Sequence, residues 1–524
     1  MNAEPASEPS DPDRGFFLNG RSMKLKGVCL HHDGGCLGAA MTEEVWERRL
    51  TALKEMGCNA IRTSHNPHMP ELYDLCDRMG FLVMGEAFDE WENAKNKWSA
   101  GHNVYPPRHQ GYFEDFPEWH EKDLTAMILR DRNHPSIILW SIGNEIDYPN
   151  DPYCHPLFTE MTGNNDADKP AAERQYSPDK PNMERLAPIA AHLSRIVRRH
   201  DSTRPVTLAA AFPELSSRLH YFDALDVVGY NYKEHLYEED HLRFPGLPFL
   251  GSENGHSLEA WKAVTDHDYI SGQFLWTGID YLGEARGWPV HGSPAGLLTL
   301  AGFPKNHYYR RQSFWQDAPV LHLSTARYTG DASGHLPASD CWNYEKGEQI
   351  LVRCYTNLPC AELFLNGRSL GRQKALNEEG SMDWIVAYEP GELCVTAEDK
   401  DPLSFRLSTV GDPERILLKR WTSPSLLSRP CVGLTEQIEI ALADREGNAA
   451  VHKDLPVSVS VSGPGALLGL ENGDLADNTP YSEPSRHTLD GRLIAYVRRT
   501  GKGAIAVTVS APSCEEAALL LQDA

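Results

Sequence analysis

Short apolar strands alternate with amphipathic helices along the chain as far as Trp315. Eight strands are predicted, at Lys24–His31, Asn59–His65, Phe81–Phe88, Ile137–Glu145, Pro205–Phe212, Asp226–Tyr232, Pro248–Asn254 and Ile270–Tyr281. Helices are predicted between them, at Glu43–Met56, Pro70–Met79, Pro117–Asp131 and Met183–His200. An open doubly wound sheet would usually carry a glycine-rich phosphate turn after its first strand, and none follows here. The order of elements therefore predicts an α/β fold, a (β/α)₈ TIM barrel.

The pattern changes after Trp315, where strands follow one another without helical periodicity. Gln349–Tyr355 and Ala361–Leu365 have the spacing of a sheet, and the turn Asn366-Gly367 is typical of a hairpin. A second set of strands, which includes Glu436–Ala443, is divided by Gly, Pro and Asn turns. We therefore predict a disordered tail at 1–14, the barrel at 15–318, and two all-β immunoglobulin-like sandwiches at 319–410 and 411–524.

The charge of the chain narrows its expected partners. It has 74 acidic and 50 basic residues, a net charge of −24, whereas nucleic acids and anionic membranes require concentrated Lys and Arg. Residues 1–14 have neither the basic start nor the apolar core of a signal peptide, and no later apolar run approaches about 18 residues. We expect a neutral substrate, a cytoplasmic location, and neither a nucleic-acid nor a membrane partner.

Two carboxylates stand at the ends of predicted strands. Glu145 ends the fourth strand and Glu253 ends the seventh, and these two strands face each other across the mouth of an eight-stranded barrel. Two facing carboxyl groups suit glycosidic cleavage, because one protonates the departing oxygen while the other attacks the anomeric carbon. A single glutamate at a strand end is more often part of a structural ion pair, so it is the combination that indicates chemistry.

Two long motifs resemble the signatures of glycoside hydrolase family 2, which includes β-galactosidases, β-glucuronidases and β-mannosidases. Asp131–Glu145 is similar to the acid/base signature, and Asn59–Pro67 followed by Leu75–Val83 is similar to the other signature. The resemblance extends through Phe274–Tyr281, Ala301–Lys305, Tyr308 to Trp315, and Ala361–Gly371. It implies a retaining exo-β-glycosidase, most similar to the β-galactosidases, with a carbohydrate substrate and no organic cofactor.

The resemblance also implies a role for each residue of the site. Glu145 would be the acid/base and Glu253 the nucleophile that forms a covalent glycosyl-enzyme, with their carboxyl groups about 5–5.5 Å apart. Asn144 would donate to the sugar 2-hydroxyl, or else only cap a turn. Arg62 would bond Glu253 and keep it ionised, or else form a salt bridge in the barrel floor.

Four further side chains would contact the sugar or the nucleophile. His31 and His65 would reach sugar hydroxyls, Tyr232 would hydrogen-bond the nucleophile, and Trp276 would form an apolar platform under the sugar. His32 is the alternative to His31, because only one of two neighbours on a strand points inward. By the same rule Tyr230 has the inward parity of Tyr232.

The chain departs from the family pattern in three places. The family normally has a jelly-roll and an immunoglobulin-like domain before the barrel; without them we expect a wider, wetter site, or a partner chain or second copy that supplies the missing wall. Gly85 precedes Glu86 where an acid is common. The Asn-x-Lys motif of glucuronidases is missing after strand eight, and Asn93-Ala-Lys95 follows strand three instead. A β-glucuronidase or β-galacturonidase, or a catalytically weak sugar-binding or assembly protein, is the alternative.

No metal site is predicted. His31-His32-Asp33 and the acidic run Glu86–Glu92 lack the spacing of a structural zinc site, and the eleven scattered cysteines include no CxxC pair. Some members of the family use magnesium near the acid/base, but its remaining ligands have no match in this sequence.

Overall fold

The structure, a computed structural model, describes residues 10–95, 111–148, 151–160, 176–285, 287–330, 338–398, 402–423 and 432–522. The chain divides into two compact units. The first is Met1–His32 with Cys58–Thr277, and the second is Asp33–Gly57 with Gly278–Ala524. Within the described ranges, none of the helices has the length and apolar character needed to span a bilayer. The cytoplasmic location stays a prediction.

The first unit contains a closed barrel of eight parallel strands, as the sequence predicts. They are β1 (Leu25–Leu30), β2 (Ala60–Thr63), β3 (Leu82–Glu86), β4 (Ile137–Asn144), β5 (Val206–Ala210), β6 (Val228–Asn231), β7 (Phe249–Asn254) and β8 (Ile270–Leu275). Neighbouring strands pair in sequence order, and β8 pairs with β1 through Gly272 and Leu25 to close the ring. Their residues are buried on both faces, and most of them are apolar, the pattern of a sheet that is covered on both sides.

One apolar cluster gathers side chains from strands on different sides of the barrel. Cys29, Ala60, Met84, Leu139 and Phe274 belong to it, and all are buried. Polar side chains at the strand ends therefore lie next to an apolar core from which water is excluded.

Several strands end one or two residues before their predicted limits, and the backbone gives the reason. Phe88, Glu145 and Tyr232 have φ values of 75°, 47° and 56°, in the left-handed region that cannot continue a strand. Strand β8 ends at Leu275 instead of the predicted Tyr281, because the backbone beyond Thr277 bonds to residues 297–298.

Residues 10–14, part of the tail that the sequence predicts at 1–14, form a hairpin with the residues that follow. Ser10–Asp11 pairs with Gly15–Leu18, because the Asp11 carboxylate accepts from the backbone N–H groups of Asp13 and Arg14 and fixes the turn. Residues 1–9 lie outside the described residues.

Helices connect the barrel strands of the first unit. The α-helices are Pro70–Met79, Phe116–Asp131, Leu186–His200, Pro213–Ser216, Tyr237–Arg243 and Leu258–Thr265. The predicted helix from Met183 begins as the 3₁₀ turn Met183–Arg185 before it becomes α-helical. Gly80 ends Pro70–Met79 in the left-handed conformation, a common helix stop.

The second unit contains the helices Glu43–Glu55 and Asn306–Trp315 and two β-sandwiches. The first sandwich has the sheets Leu321–Arg327, Gln349–Thr356, Met382–Ala387 and Ala361–Leu365, Arg368–Gln373, Glu392–Ala397, Leu403–Ser408. The second has the sheets Arg415–Trp421, Thr435–Ala443, Gly465–Glu471, Arg492–Arg499 and Pro456–Ser462, Ser485–His487, Ile505–Ser510, Ala517–Leu521. Each pair of sheets shares one apolar core. The predicted domain limits stay predictions.

Candidate active site

Arg62, at the end of β2, is at the centre of a buried polar network. Its guanidinium donates to Glu253 Oε2 at 2.8 Å, to Asn144 Oδ1 at 2.8 Å and to the backbone carbonyl of Ser252 at 2.9 Å. It also makes two bonds of 2.9 Å to Glu86. The side chain of Arg62 is completely buried, so these partners satisfy a charge that has no access to water. The sequence allowed two roles for Arg62, a bond to Glu253 or a salt bridge inside the barrel. The structure has both contacts, with Glu253 and with Glu86.

Burial raises the pKa of the Glu253 carboxyl, and the charge of Glu145 raises it further. The positive charge of Arg62 acts in the opposite direction. Glu253 and Glu145 are therefore close enough to influence each other's charge, although they come from opposite strands, β7 and β4.

Asn144 and Glu145 follow each other at the end of β4, and both reach the network. The Asn144 side-chain oxygen accepts from Arg62 and, at 3.1 Å, from Asn231. Its nitrogen donates to Asp89 at 2.9 Å and to His65 Nε2 at 3.3 Å. The Glu145 carboxylate accepts from Asn231 at 3.3 Å. Four neighbours thus fix the orientation of the Asn144 amide, and a sugar hydroxyl would have to replace one of them.

His31, His65 and Trp276 form an aromatic cluster beside this network. The rings of His65 and Trp276 are stacked with centroids 5.3 Å apart, and His31 meets Trp276 edge-on at 5.2 Å. Withdrawal from water and the neighbouring His65 hold the pKa of His31 well below its ordinary value, so its ring is neutral. His32 stacks on His68 instead, which favours His31 as the residue of the pair that faces the site.

Tyr232 lies beside Glu253, whereas Tyr230 does not. Tyr230 is buried and donates to Asp240 at 2.7 Å, so the expectation that it points inward with Tyr232 is wrong. The left-handed backbone at Tyr232 breaks the alternation and lets both Asn231 and Tyr232 face the site. The Tyr232 residue is 42% exposed; its backbone N–H donates to the Glu253 carbonyl at 2.8 Å, and its hydroxyl lies near the Glu253 and Glu145 carboxylates. Withdrawal of the hydroxyl from water and the adjacent Glu253 charge raise the pKa of Tyr232, which keeps it protonated.

The sequence interpretation did not assign Glu86, Asn231, Asp89 or Lys95 to the site. Glu86 accepts from His65 Nδ1 and Ser141 Oγ, both at 2.7 Å, in addition to Arg62. Its position at the end of β3 was a signal that could have identified it, because strand ends form the mouth of a barrel. Lys95 donates to the Asn144 carbonyl at 2.6 Å and to Asp89 at 2.7 Å.

These carboxylates do not fit a divalent cation. Glu86 is already bonded by Arg62, His65 and Ser141, and Asp89 by Lys95 and Asn144. Among the described residues, Asp74, Asp77 and His134 are spaced closely enough to hold a metal, but Asp77 bonds the ring of His134 and the backbone of Ser136. No step of the chemistry is therefore assigned to a metal.

Replacing Arg62 with methionine is expected to destabilise the first unit by about 3–5 kcal/mol, because it leaves the buried Glu86 and Glu253 without their counter-charge. Differential scanning calorimetry measures the change. The matched control is Arg199→Met, which removes an exposed ion pair with Glu121 and is expected to leave the stability almost unchanged. Equal losses in the two variants would contradict the structural importance of the network.

Family models match three parts of the chain. Residues 12–286 match the model described as glycosyl hydrolases family 2, TIM barrel domain. Residues 435–519 match glycoside hydrolase family 2 C-terminal domain 5, and residues 347–401 match DUF4982, a domain of unknown function.

Two curated relatives cover most of the chain. Beta-galactosidase BoGH2A of Bacteroides ovatus is 34% identical over 97% of this chain and 62% of its own length. A beta-glucuronidase of Bacteroides fragilis is 28% identical over 78% of this chain and 56% of its own length. The chain thus spans between about half and two thirds of the length of these relatives.

Solved structures have the same fold over nearly the whole chain. A glycosyl hydrolase family 2 member from Bacteroides cellulosilyticus is 31% identical with a TM-score of 0.82, covering 98% of this chain and 64% of that one. A beta-glycosidase from Bacteroides vulgatus is 28% identical with a TM-score of 0.77, covering 98% of this chain and 66% of that one.

Proposed function

Because the chain belongs to glycoside hydrolase family 2, we propose that it is a retaining exo-β-glycosidase that acts on β-galactosides. The observation that carries the proposal is the meeting of Glu145 and Glu253, from strands β4 and β7, in one network through Arg62, Asn144 and Asn231. A protein that only bound sugars would have no need for two buried carboxyl groups in one place.

The reaction follows from the surroundings of each carboxyl group. Ionised Glu253, bonded by Arg62 and with the Tyr232 hydroxyl nearby, attacks the anomeric carbon while Glu145 protonates the departing oxygen. Glu145 then takes a proton from the water that releases the sugar from Glu253. His31 and His65 contact sugar hydroxyls, and Trp276 packs against the C–H face of the ring. Asn144 exchanges one of its present bonds for the 2-hydroxyl.

The pairing of the cations supports a neutral sugar over a uronate. Arg62 is bonded to Glu86 and Glu253, and Lys95 to Asp89. Lys233, which follows Tyr232, is bonded to Glu214 at 2.7 Å. Each of these cations already has a carboxylate of the protein as its partner, so a substrate carboxylate would have to displace it. For each of these three described cations, a glucuronide carboxylate would therefore have to compete with a carboxylate of the protein.

A screen of nitrophenyl glycosides tests this function. We expect kcat/KM for the β-galactoside to exceed that for the β-glucuronide by about 100-fold or more, because an unpaired buried carboxylate is costly. The β-glucoside, which differs from the β-galactoside in the configuration at C4, and the β-mannoside, which differs at C2 and C4, serve as neutral controls. A higher kcat/KM for the glucuronide would overturn the galactoside assignment. Binding of every sugar without turnover would favour a carbohydrate-binding protein.

A further inference from the structure

The peptide bond between Asn144 and Glu145 is held from both sides. Its N–H, from Glu145, donates to the carbonyl of Ala209 on β5 at 2.7 Å. Its C=O, from Asn144, accepts from Lys95 Nζ at 2.6 Å. These two bonds fix the plane of the peptide and thus the direction in which the Glu145 side chain leaves the strand.

This direction is not the relaxed one. Glu145 has a φ of 47°, and the left-handed region costs a residue other than glycine about 1 kcal/mol or more. An extended backbone would continue β4 and point the Glu145 side chain to the opposite face from Asn144. Contacts that hold the Asn144–Glu145 peptide are therefore needed to keep both side chains in the site.

Lys95 is itself held in place by the loop that follows β3. Its side chain is only 1% exposed, and its backbone N–H donates to Glu90 Oε1 at 3.0 Å. The ammonium also donates to Asp89 Oδ1 at 2.7 Å, and the same oxygen accepts from the Asn144 amide at 2.9 Å. The Lys95–Asp89 pair therefore holds both the main chain and the side chain of Asn144.

We propose that Lys95 is a positioning residue for acid catalysis by Glu145, with Asp89 as its partner; this rests on the proposed function. Asp89 balances the charge of Lys95, so the ammonium serves the main chain of the enzyme and not a carboxylate of the substrate. A general acid must lie about 2.6–3.2 Å from the oxygen that it protonates. Displacement of a catalytic group by about 1 Å lowers the rate about 100-fold.

The test compares two leaving groups on the sugar that the enzyme cleaves best. A dinitrophenolate departs without a proton, whereas a phenolate departs slowly unless Glu145 protonates it. In Lys95→Met we expect kcat/KM for the phenyl glycoside to fall about 100-fold, while the value for the dinitrophenyl glycoside stays near that of the wild type. Labelling of Glu253 by a dinitrophenyl 2-fluoro glycoside should also keep its rate.

Lys24→Met is the matched control. The Lys24 ammonium also donates to backbone carbonyls, those of His267 at 2.7 Å and Ile270 at 2.5 Å, but at the start of β1 and β8. Its loss should leave the ratio between the two substrates unchanged. If Lys95→Met does not fold, Lys95→Arg keeps the ion pair in a different geometry and should change the ratio in the same direction.

The outcomes separate this proposal from the function on which it rests. If Lys95→Met slows both substrates equally, or neither, while Glu145→Ala slows only the phenyl glycoside, the positioning role is wrong and the function stands. If the wild-type protein cleaves no glycoside, the proposed function itself fails.

Discussion

Replacing Glu253 with glutamine is expected to abolish covalent labelling by a 2-fluoro glycoside and to lower kcat by about 10⁴-fold or more. The amide has almost the same shape as the carboxylate and can still accept a bond from Arg62 through its oxygen, so the network should persist. It has no charge with which to attack the anomeric carbon, so no glycosyl-enzyme forms. Mass spectrometry of the intact protein measures the labelling, and release of nitrophenolate measures the turnover.

Glu259→Gln is the matched control for this change. Glu259 is exposed on the helix Leu258–Thr265, which follows β7. Its replacement makes the same change from carboxylate to amide at a position outside the network. Labelling and turnover should equal those of the wild type. Covalent labelling that persists in Glu253→Gln would show that another residue is the nucleophile.

Replacing Glu145 with alanine should give a different pattern. Glycosides with poor leaving groups should be slowed by about 10²–10⁴-fold, because they depend on the proton that Glu145 supplies. Dinitrophenyl glycosides should form the glycosyl-enzyme almost normally and then accumulate it, because no base activates the water. Added azide, which needs no base, should restore turnover and change the product to a glycosyl azide with retained configuration.

The wild-type enzyme in the presence of azide is the control for this experiment. Azide should leave the rate of the wild-type enzyme unchanged, since Glu145 repels anions from the place where water attacks. The role of Glu145 would be refuted if the alanine variant slowed all leaving groups equally and gave no glycosyl azide.

The alternation of apolar and amphipathic segments was enough to predict the barrel. Each of the eight strands lies within its predicted segment, because burial on both faces leaves a continuous apolar run that is easily read. The limits were less accurate at the C-terminal ends. There the backbone changes from strand geometry to left-handed φ values. Residues of many types can adopt these values when contacts with their neighbours offset the strain, so residue type does not reveal them.

The same change of backbone limited the prediction of the site. Strict alternation allows only one of Asn144 and Glu145 to face inward, and it selects Tyr230 together with Tyr232. In the structure, Asn144, Glu145 and Asn231 all reach the network, and the Tyr232 hydroxyl lies near Glu253. The resemblance to the family predicted that Asn144 and Glu145 both belong to the site. No feature of the sequence indicated the same for Asn231.

The partners of Glu86 were hidden for a different reason. A glutamate within an acidic run is typical of a solvent-exposed loop. Only the folded barrel brings Arg62, His65 and Ser141 to Glu86. Asn93-Ala-Lys95 is a similar case. In the sequence, this motif matters only because it does not follow strand eight. In the structure, Lys95 donates to the backbone of β4.

The bonds of Arg62 join residues from β3, β4 and β7 to its own strand, β2. A cut in the chain between β4 and β7 would separate Glu145 and Arg62 from Glu253. Arg62 would keep Glu86 as its partner, but the buried Glu253 would lose the guanidinium that neutralises it. Neither piece would have a site, and reassembly of the two would restore it only as the ring closes. If the proposed glycosidase activity is correct, two separately expressed halves should therefore recover glycoside cleavage only when they reassemble.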